Sequence, residues 1–315
     1  MNILVVGAGA VGQVYARYLA EGGARITFFV KPKHAPALAA GLSLTRLGHL
    51  RQHQEHWRDY RVASTLDEVG AGHWDQVWLC MSSDALRSPL SQQVLAAVGA
   101  TTVVCLQPGP EDAGFVRRQL PPGASLVQGL ITFISYQSPL PGRPGPEGLA
   151  YFVSPLAPSL FSGEHGPVQA VLAVLTAGGM AARATADLDG AGAGAEAVMI
   201  PLVAALEQHG WGLSGFAASA PMALGREAAR EALDILAADR GAKVALQKML
   251  LNPLASRALL LAAPRVLPLE LEPYLEYHFT KVGQQTRDML DAYIRLGQRH
   301  GLPVAKLQQL RAGLA

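Results

Sequence analysis

Six residues into the chain, Gly7-Ala-Gly9-Ala-Val-Gly12 follows an apolar run at 3–6 and opens an amphipathic stretch at 10–21. No other feature narrows the possible folds as far. A turn between a buried strand and a helix needs one glycine for the tight reversal and a second where the backbone approaches a pyrophosphate. It needs a third where helix and strand pack closely. Gly7, Gly9 and Gly12 stand at those three places, with Ala10 and Val11 opening the helix. The free N–H groups and the dipole at that helix start favour an anion. The turn is read as dinucleotide-binding. No basic segment precedes the apolar run, so a signal peptide is not expected.

The rest of the first half repeats the same alternation. Runs at 26–30, 77–81 and 102–106 are continuously apolar, as strands buried on both faces of a parallel sheet are. Helical patterns at 35–40, 84–97 and 111–119 separate them. The expected fold is α/β, a Rossmann-type doubly wound and mostly parallel sheet. Antiparallel strands are added at 126–135, 149–153 and 159–161, around the Pro/Gly segment 139–148. After a helix at 166–177, Gly190-Ala-Gly-Ala-Gly194 reads as a small-residue hinge. From residue 195 onward only helices are expected, broken near Gly212, Asn252-Pro253 and 264–268. The predicted domains are 1–189, which binds the dinucleotide, and 190–315, which is all-helical.

The end of the second strand bears on which dinucleotide. An Asp or Glu there would bind the ribose 2′-hydroxyl of NAD. The chain has Val30-Lys31-Pro32-Lys33-His34 instead, with two lysines and no carboxylate. Lys31 and Lys33 suit the 2′-phosphate of NADP(H). FAD is the lesser alternative, because flavoenzymes of this fold generally need a longer chain. Ser82, just past a parallel strand's C-terminal end, is a further cofactor candidate and also a helix N-cap. Gln107 and Gly109 are placed near the nicotinamide ribose.

Composition removes other classes. With 26 Lys+Arg against 24 Asp+Glu, a net charge of +2, there is no basic stripe for nucleic acid. Cys80 and Cys105 both lie in apolar runs, and two thiols make neither a disulfide framework nor a four-ligand zinc site. His49, His53 and His56 with Glu55 have helical metal-ligand spacing, but RQHQEHWRDYR is polar throughout and reads as a surface loop or strand. No metal is expected. The longest apolar stretches, at 168–182 and 197–206, are shorter than a bilayer span. A cytoplasmic protein that acts on a small-molecule carbonyl, without membrane or nucleic-acid partners, is expected, with a homodimer as a possible assembly.

The sequence ILVVGAGAVG at 3–12, Lys31 beyond it, the segment 35–44 and DAYIRLGQRHGLPV at 291–304 resemble the ketopantoate reductase (2-dehydropantoate 2-reductase) family. The layout agrees nearly end to end, and the motifs are specific at the two ends. The resemblance implies hydride transfer from NADPH to a 2-oxo acid, with a lysine as general acid and an asparagine and a glutamate holding substrate. At the corresponding positions this chain differs. The family's Gln-Asn-Gly loop is Gln107-Pro108-Gly109, and no lysine occurs near 198–200. Gln285 stands at the glutamate's place, and Ser82 or Ser83 replaces a lysine after the fourth strand.

Two sets of residues are candidates for the missing groups. In LELEPYLEYHFTKVGQQTR, at 269–287, Tyr274, His278, Lys281 and Gln285 are spaced 4, 3 and 4 apart and are expected along one helical face. Lys281 or His278 could then donate a proton to a carbonyl oxygen, or the face is simply solvated. Glu196, isolated on an apolar helix, is the second candidate, and could equally satisfy backbone donors at the helix start. The implied function is an NADPH-dependent reductase of a small carbonyl, 2-dehydropantoate being one candidate. The alternative is a non-catalytic NADP(H)-binding sensor or regulator on the same fold.

Overall fold

The apolar runs of the first half form strands because a continuous Val/Ile/Leu/Phe run can bury both faces of its pleat. They are β1 (Asn2–Val6), β2 (Arg25–Phe29), and, further along, Gln76–Leu79 and Thr102–Cys105. The computed structural model describes residues 1–107 and 111–314. These fall into two units, Met1–Ser138 with Pro146–Leu188, and Pro139–Gly145 with the chain from Asp189 onward.

In the first unit α1 (Ala10–Glu21) follows β1, and α2 (Ala35–Ala39) follows β2. Then come β3 (Leu42–Arg46), β4 (His53–Trp57), β5 (Arg61–Ala63), α3 (Leu66–Gly70) and β6 (Gln76–Leu79). The helices α4 (Ser83–Leu86) and α5 (Pro89–Ala97) lead to β7 (Thr102–Cys105), α6 (Asp112–Gln119) and β8 (Ser125–Leu130). The unit ends with β9 (Ile134–Ser138), β10 (Gly148–Phe152), β11 (Ser159–Gly163), α7 (His165–Ala177) and β12 (Ala182–Ala184).

Eight strands form one sheet in the order β12-β11-β8-β7-β6-β1-β2-β5, all pairs parallel except β11 with β8. Val5 lies opposite Phe28 on one side and Trp78 on the other. Helix α1 covers this centre. Its Tyr15 ring lies 4.9 Å from Trp78 and 5.1 Å from Phe133, and its hydroxyl donates to Ser159 Oγ at 3.3 Å. Emptying the Trp78 position would cost about 3–5 kcal/mol.

A second sheet, β4-β3-β10-β9, carries the polar segment HQEHW at its edge as β4. There the side chains alternate sides, so the helical spacing of His53 and His56 never arises. His56 instead bonds Ser43 Oγ and the Ala40 carbonyl. Two expectations shift. The stretch at 84–97 breaks at Ser88-Pro89, because the residue before proline is pushed out of the helical region and Ser88 caps α5. The run at 126–135 splits into β8, parallel to β7, and β9, antiparallel to β10.

The second unit comprises α8 (Leu188–Gln208), α9 (Ala220–Arg240), α10 (Ala245–Leu250) and α11 (Pro253–Val266). It continues with α12 (Leu271–Lys281), α13 (Gly283–Arg299) and α14 (Ala305–Ala312), with no strand among the described residues. Helix α13 buries Thr286, Leu290, Tyr293 and Gly297, at spacings of 4, 3 and 4. Ala228, Ala232, Ile235 and Leu307 belong to the same core.

Three sequence expectations need correction here. The predicted hinge at 190–194 is helical, part of α8. A Cβ at Gly194 would come within 2.7 Å of Gln247 Nε2, so that glycine serves close packing. Helix α8 is accordingly longer than its apolar run suggests, and 190–208 is long and apolar enough to cross a membrane by length and composition. It places Ala197, Ile200, Ala204 and Ala205 in the core of this unit. The polar helix expected over 269–287 breaks at Val282 (φ −108°, ψ 21°), so Gln285 belongs to α13 while His278 and Lys281 belong to α12. The break expected at 264–268 is present, since α11 ends at Val266 with Pro264 inside its last turn.

Candidate functional site

The C-terminal ends of β1, β2 and β6 meet at the glycine turn. Gly7 N–H donates to the Phe29 carbonyl at 3.0 Å, and Cys80 N–H to the Val6 carbonyl at 2.9 Å. Gly7 has φ +98°, and a Cβ there would lie 2.8 Å from the Cys80 carbonyl oxygen. A Cβ at Gly12 would lie 2.4 Å from the Gly7 carbonyl oxygen. Neither position tolerates a side chain. Gly9 is the opposite case, since nothing lies within 4 Å of a Cβ placed there. Gly9 is also the N-cap of α1, with no side-chain cap and no acidic residue in the first turn that begins at Ala10 and Val11. The first-turn N–H groups therefore have no competing side-chain acceptor of their own.

In front of the turn is a cavity of about 710 Å³, lined by Gly7, Ala8, Gly9 and Gln13 at its base. Such a volume suits a nucleotide-sized ligand. Lys31, Lys33 and His34 line one end. They are held there by a single turn of 3₁₀ helix, Pro32–His34, begun by a proline and closed by His34 N–H on the Lys31 carbonyl at 2.9 Å. Met81, Ser82, Ser88 and Ser91 line the facing wall, and Leu38, Leu42, Leu90 and Val94 supply apolar surface. Among the described residues the lining includes no Asp or Glu.

The serines of the facing wall are engaged inward. Ser82 Oγ accepts from Ala85 N–H at 3.3 Å as the N-cap of α4, and Ser88 Oγ donates to the Ala85 carbonyl at 2.7 Å. Ser91 Oγ lies 2.8 Å from the same carbonyl and 3.0 Å from Met81 Sδ. Charge for a bound anion thus comes from the lysine end and from the start of α1. Cys80 also lines the cavity, with burial pushing its thiol pKa up so that it stays uncharged.

The remaining candidates sit elsewhere. Gln107 is not among the cavity-lining residues, and its amide donates to the Leu79 and Met81 carbonyls at 2.9 and 2.8 Å. It ties β7 to the end of β6. Pro108 and Gly109 lie outside the described residues. Ser83 donates to the buried Asp112, which also pairs with Arg87 at 2.5 Å.

In the helical unit, Lys281 is exposed at the end of α12 and Gln285 is exposed near the start of α13. His278 is half-buried, stacked on Tyr274 with ring centroids 5.5 Å apart. Burial, and then the Lys281 charge, lower its pKa. The helix break puts Gln285 on α13, apart from Tyr274, His278 and Lys281, which share α12. Glu196 is half-buried on α8. Burial raises its pKa, against the opposing effects of the Arg240 charge and a hydrogen bond from Tyr293. The cluster of Glu196 with Tyr293 was not foreseen, although Tyr293 lies in the quoted C-terminal motif. His34, beside Lys33 in the sequence, was not among the cofactor candidates, yet it lines the cavity.

Residues 3–143 match the model of the family described as ketopantoate reductase PanE/ApbA. No curated protein matches the chain. Among solved structures, a PanE/ApbA family ketopantoate reductase from Ralstonia eutropha JMP134 is 19% identical, with TM-score 0.67 over 99% of this chain and 96% of that one. A 2-dehydropantoate 2-reductase from Methylococcus capsulatus is 18% identical, with TM-score 0.68 over 99% and 95%. D-mandelate dehydrogenase, in a ternary structure with NADH and anilino(oxo)acetate, is 14% identical, with TM-score 0.66 over 99% and 96%. At these identities the shared property is the fold.

Proposed function

We propose that this chain, whose residues 3–143 match the model of the ketopantoate reductase PanE/ApbA family, is an NADP(H)-dependent oxidoreductase that reduces a small carbonyl compound of the 2-oxo acid type. The observation that carries this reading is the charge of the cavity. Two lysines and a histidine line it at the end of β2, with no carboxylate among its described residues. A carboxylate there would favour the ribose hydroxyl of NAD and repel a 2′-phosphate. The glycine turn and the start of α1 would hold the pyrophosphate, with the open space at Gly9 admitting it. Lys31 and Lys33, with His34 beside them, would hold the 2′-phosphate.

When bound, the reduced nicotinamide supplies a hydride to the carbonyl carbon. The protein must then provide the proton that the carbonyl oxygen takes up. Glu196 suits that role best among the candidates, because its raised pKa keeps the proton on the carboxyl at higher pH. Tyr293 orients that carboxyl. At His278 burial, and then the Lys281 charge, disfavour the imidazolium, which makes it the weaker candidate for a proton donor. Lys281 is exposed at a helix end. 2-Dehydropantoate is one candidate substrate. The solved relatives named for it, and the D-mandelate dehydrogenase holding NADH and an oxoacetate, support the nicotinamide and carbonyl classes.

The test is a fluorescence titration of the purified protein with NADPH, NADH and FAD. NADPH should bind at least about tenfold more tightly than NADH, a difference of about 1.4 kcal/mol. NADH binding as tightly, or FAD alone binding, overturns the cofactor assignment. Tight NADPH binding without turnover of any carbonyl compound favours the sensor or regulator reading instead.

A further inference from the structure

The glycine turn contains one peptide that its own geometry does not fix. Gly9 is exposed, and nothing lies within 4 Å of a Cβ placed on it. Glycine populates both signs of φ about equally. The peptide joining Ala8 to Gly9 can therefore turn over at little steric cost, and its two orientations show the cavity different atoms. In a trans peptide the C=O and the N–H point in opposite directions. One orientation presents an N–H to a ligand phosphate. The other presents a carbonyl oxygen, which repels it.

Gln13 decides which orientation is kept. Its side-chain amide donates to the Ala8 carbonyl at 2.8 Å, and its backbone N–H donates to the Gly9 carbonyl at 3.0 Å. A carbonyl only accepts, so the amide nitrogen and not the amide oxygen faces Ala8. One residue thus holds the carbonyls on both sides of Gly9. The N–H groups of Gly9 and Ala10, across those two peptides, are turned the other way. Among the described residues no backbone N–H takes the Ala8 carbonyl, and no group accepts from the Gly9 N–H. Gln13 lines the cavity together with Gly7, Ala8 and Gly9.

We propose that Gln13 is a positioning residue of the nucleotide site, which keeps the Gly9 N–H aimed into the cavity where the pyrophosphate of a dinucleotide would lie. The inference rests on the dinucleotide reading of that cavity, but not on the choice of NADP(H). A bond that serves only the fold is the weaker account. Ala8 and Gln13 are both half-buried, so a carbonyl left unpaired there is not sealed from water and costs the fold little. What the bond supplies is direction, set before the ligand arrives.

Calorimetric titration of the full chain with three probes tests it. ADP-ribose carries the pyrophosphate without a 2′-phosphate, adenosine 2′-monophosphate carries the 2′-phosphate without the pyrophosphate, and NADPH carries both. Gln13→Met keeps the reach of the side chain and loses the donor. It should weaken ADP-ribose and NADPH by about fivefold, the scale of one neutral hydrogen bond, and leave adenosine 2′-monophosphate within about twofold. Gln13→Glu keeps the shape and replaces the donor with an anionic acceptor. At about pH 8 it should weaken ADP-ribose by more than about tenfold, and the deficit should shrink toward about pH 5, because a protonated carboxyl is again a donor. The deficit is taken as a ratio to the parent at each pH, so that Lys31, Lys33, His34 and Cys80 cancel. Gln13→Met should show no such recovery. Circular dichroism and urea unfolding check that both variants fold.

ADP-ribose binding that is unchanged in Gln13→Met overturns the inference. So does an equal loss of adenosine 2′-monophosphate, which marks a general loosening of the site, and so does a Gln13→Glu deficit that ignores pH. A parent that prefers NADH, with ADP-ribose still weakened by Gln13→Met, ends the NADP(H) assignment and supports the role of Gln13. A parent that binds no ADP-ribose overturns both.

Discussion

Replacing both Lys31 and Lys33 with alanine probes the cofactor end of the cavity. A hydrogen bond to a charged group contributes about 1.5–3 kcal/mol. Both lysines are exposed, so solvent screening puts each contact at the low end of that range. Two such contacts sum to about 3 kcal/mol, or roughly a 150-fold weaker NADPH complex. His34 remains and keeps the loss from being complete. NADH has no 2′-phosphate, so its affinity should change by less than about twofold. On the facing wall Ser88 and Ser91 already donate to the Ala85 carbonyl, and no cation among the described lining residues there replaces the lysines. The assay is a titration of parent and variant with both nucleotides at one fixed ionic strength, since salt screens these contacts. Equal losses for NADPH and NADH would refute the reasoning, as would a parent protein that prefers NADH.

Further expectations concern the glycine turn and Glu196. Gly12→Ala should destabilise the first unit by about 1–3 kcal/mol in urea unfolding, because its Cβ meets the Gly7 carbonyl. Gly9→Ala, with nothing within 4 Å, should unfold at the parent concentration of urea yet bind NADPH more weakly. The raised pKa of Glu196 means that the folded state holds this proton more tightly than the unfolded state does. The stability it contributes is present below the ordinary carboxylate range and is lost as pH rises through the folded value. Glu196→Gln should therefore flatten the decline in stability above that range, measured by denaturation across pH, and an unchanged slope would show no linkage. The same variant should lower carbonyl reduction by about 10²–10⁴-fold with NADPH affinity within about twofold, whereas Lys281→Ala should keep the parent rate. The reverse outcome would move the proton donor to α12.

How much of this was legible depended on the kind of interaction involved. The glycine turn was readable because its demands are local, and the clashes at Gly7 and Gly12 are with the turn itself and the neighbouring strand end. The buried parallel strands were readable because both faces need apolar residues, and Ile3 to Val6 supply them. The small second sheet was harder. Its edge strand HQEHW is mostly exposed and polar, so it carries little of the alternation that marks a strand. The segment at 190–194 misled because Gly and Ala serve equally in hinges and in helices packed close to a neighbour. Only the contact between Gly194 and Gln247 distinguishes the two. The break at Val282 left no trace in the spacing of Tyr274, His278, Lys281 and Gln285, which continues evenly across it. Burial of Glu196 against Tyr293 depends on residues nearly a hundred positions apart, which no local pattern records.

Turnover decides the central claim. Purified protein should be incubated with NADPH and a panel of 2-oxo acids and aldehydes that includes 2-dehydropantoate, and loss of the reduced nicotinamide followed by absorbance. The account predicts substrate-dependent NADPH oxidation with at least one 2-oxo acid, slower with NADH and abolished when the panel compound is replaced by its hydroxy acid. A protein that binds NADPH but oxidises it no faster with any member of the panel than without one would contradict the account.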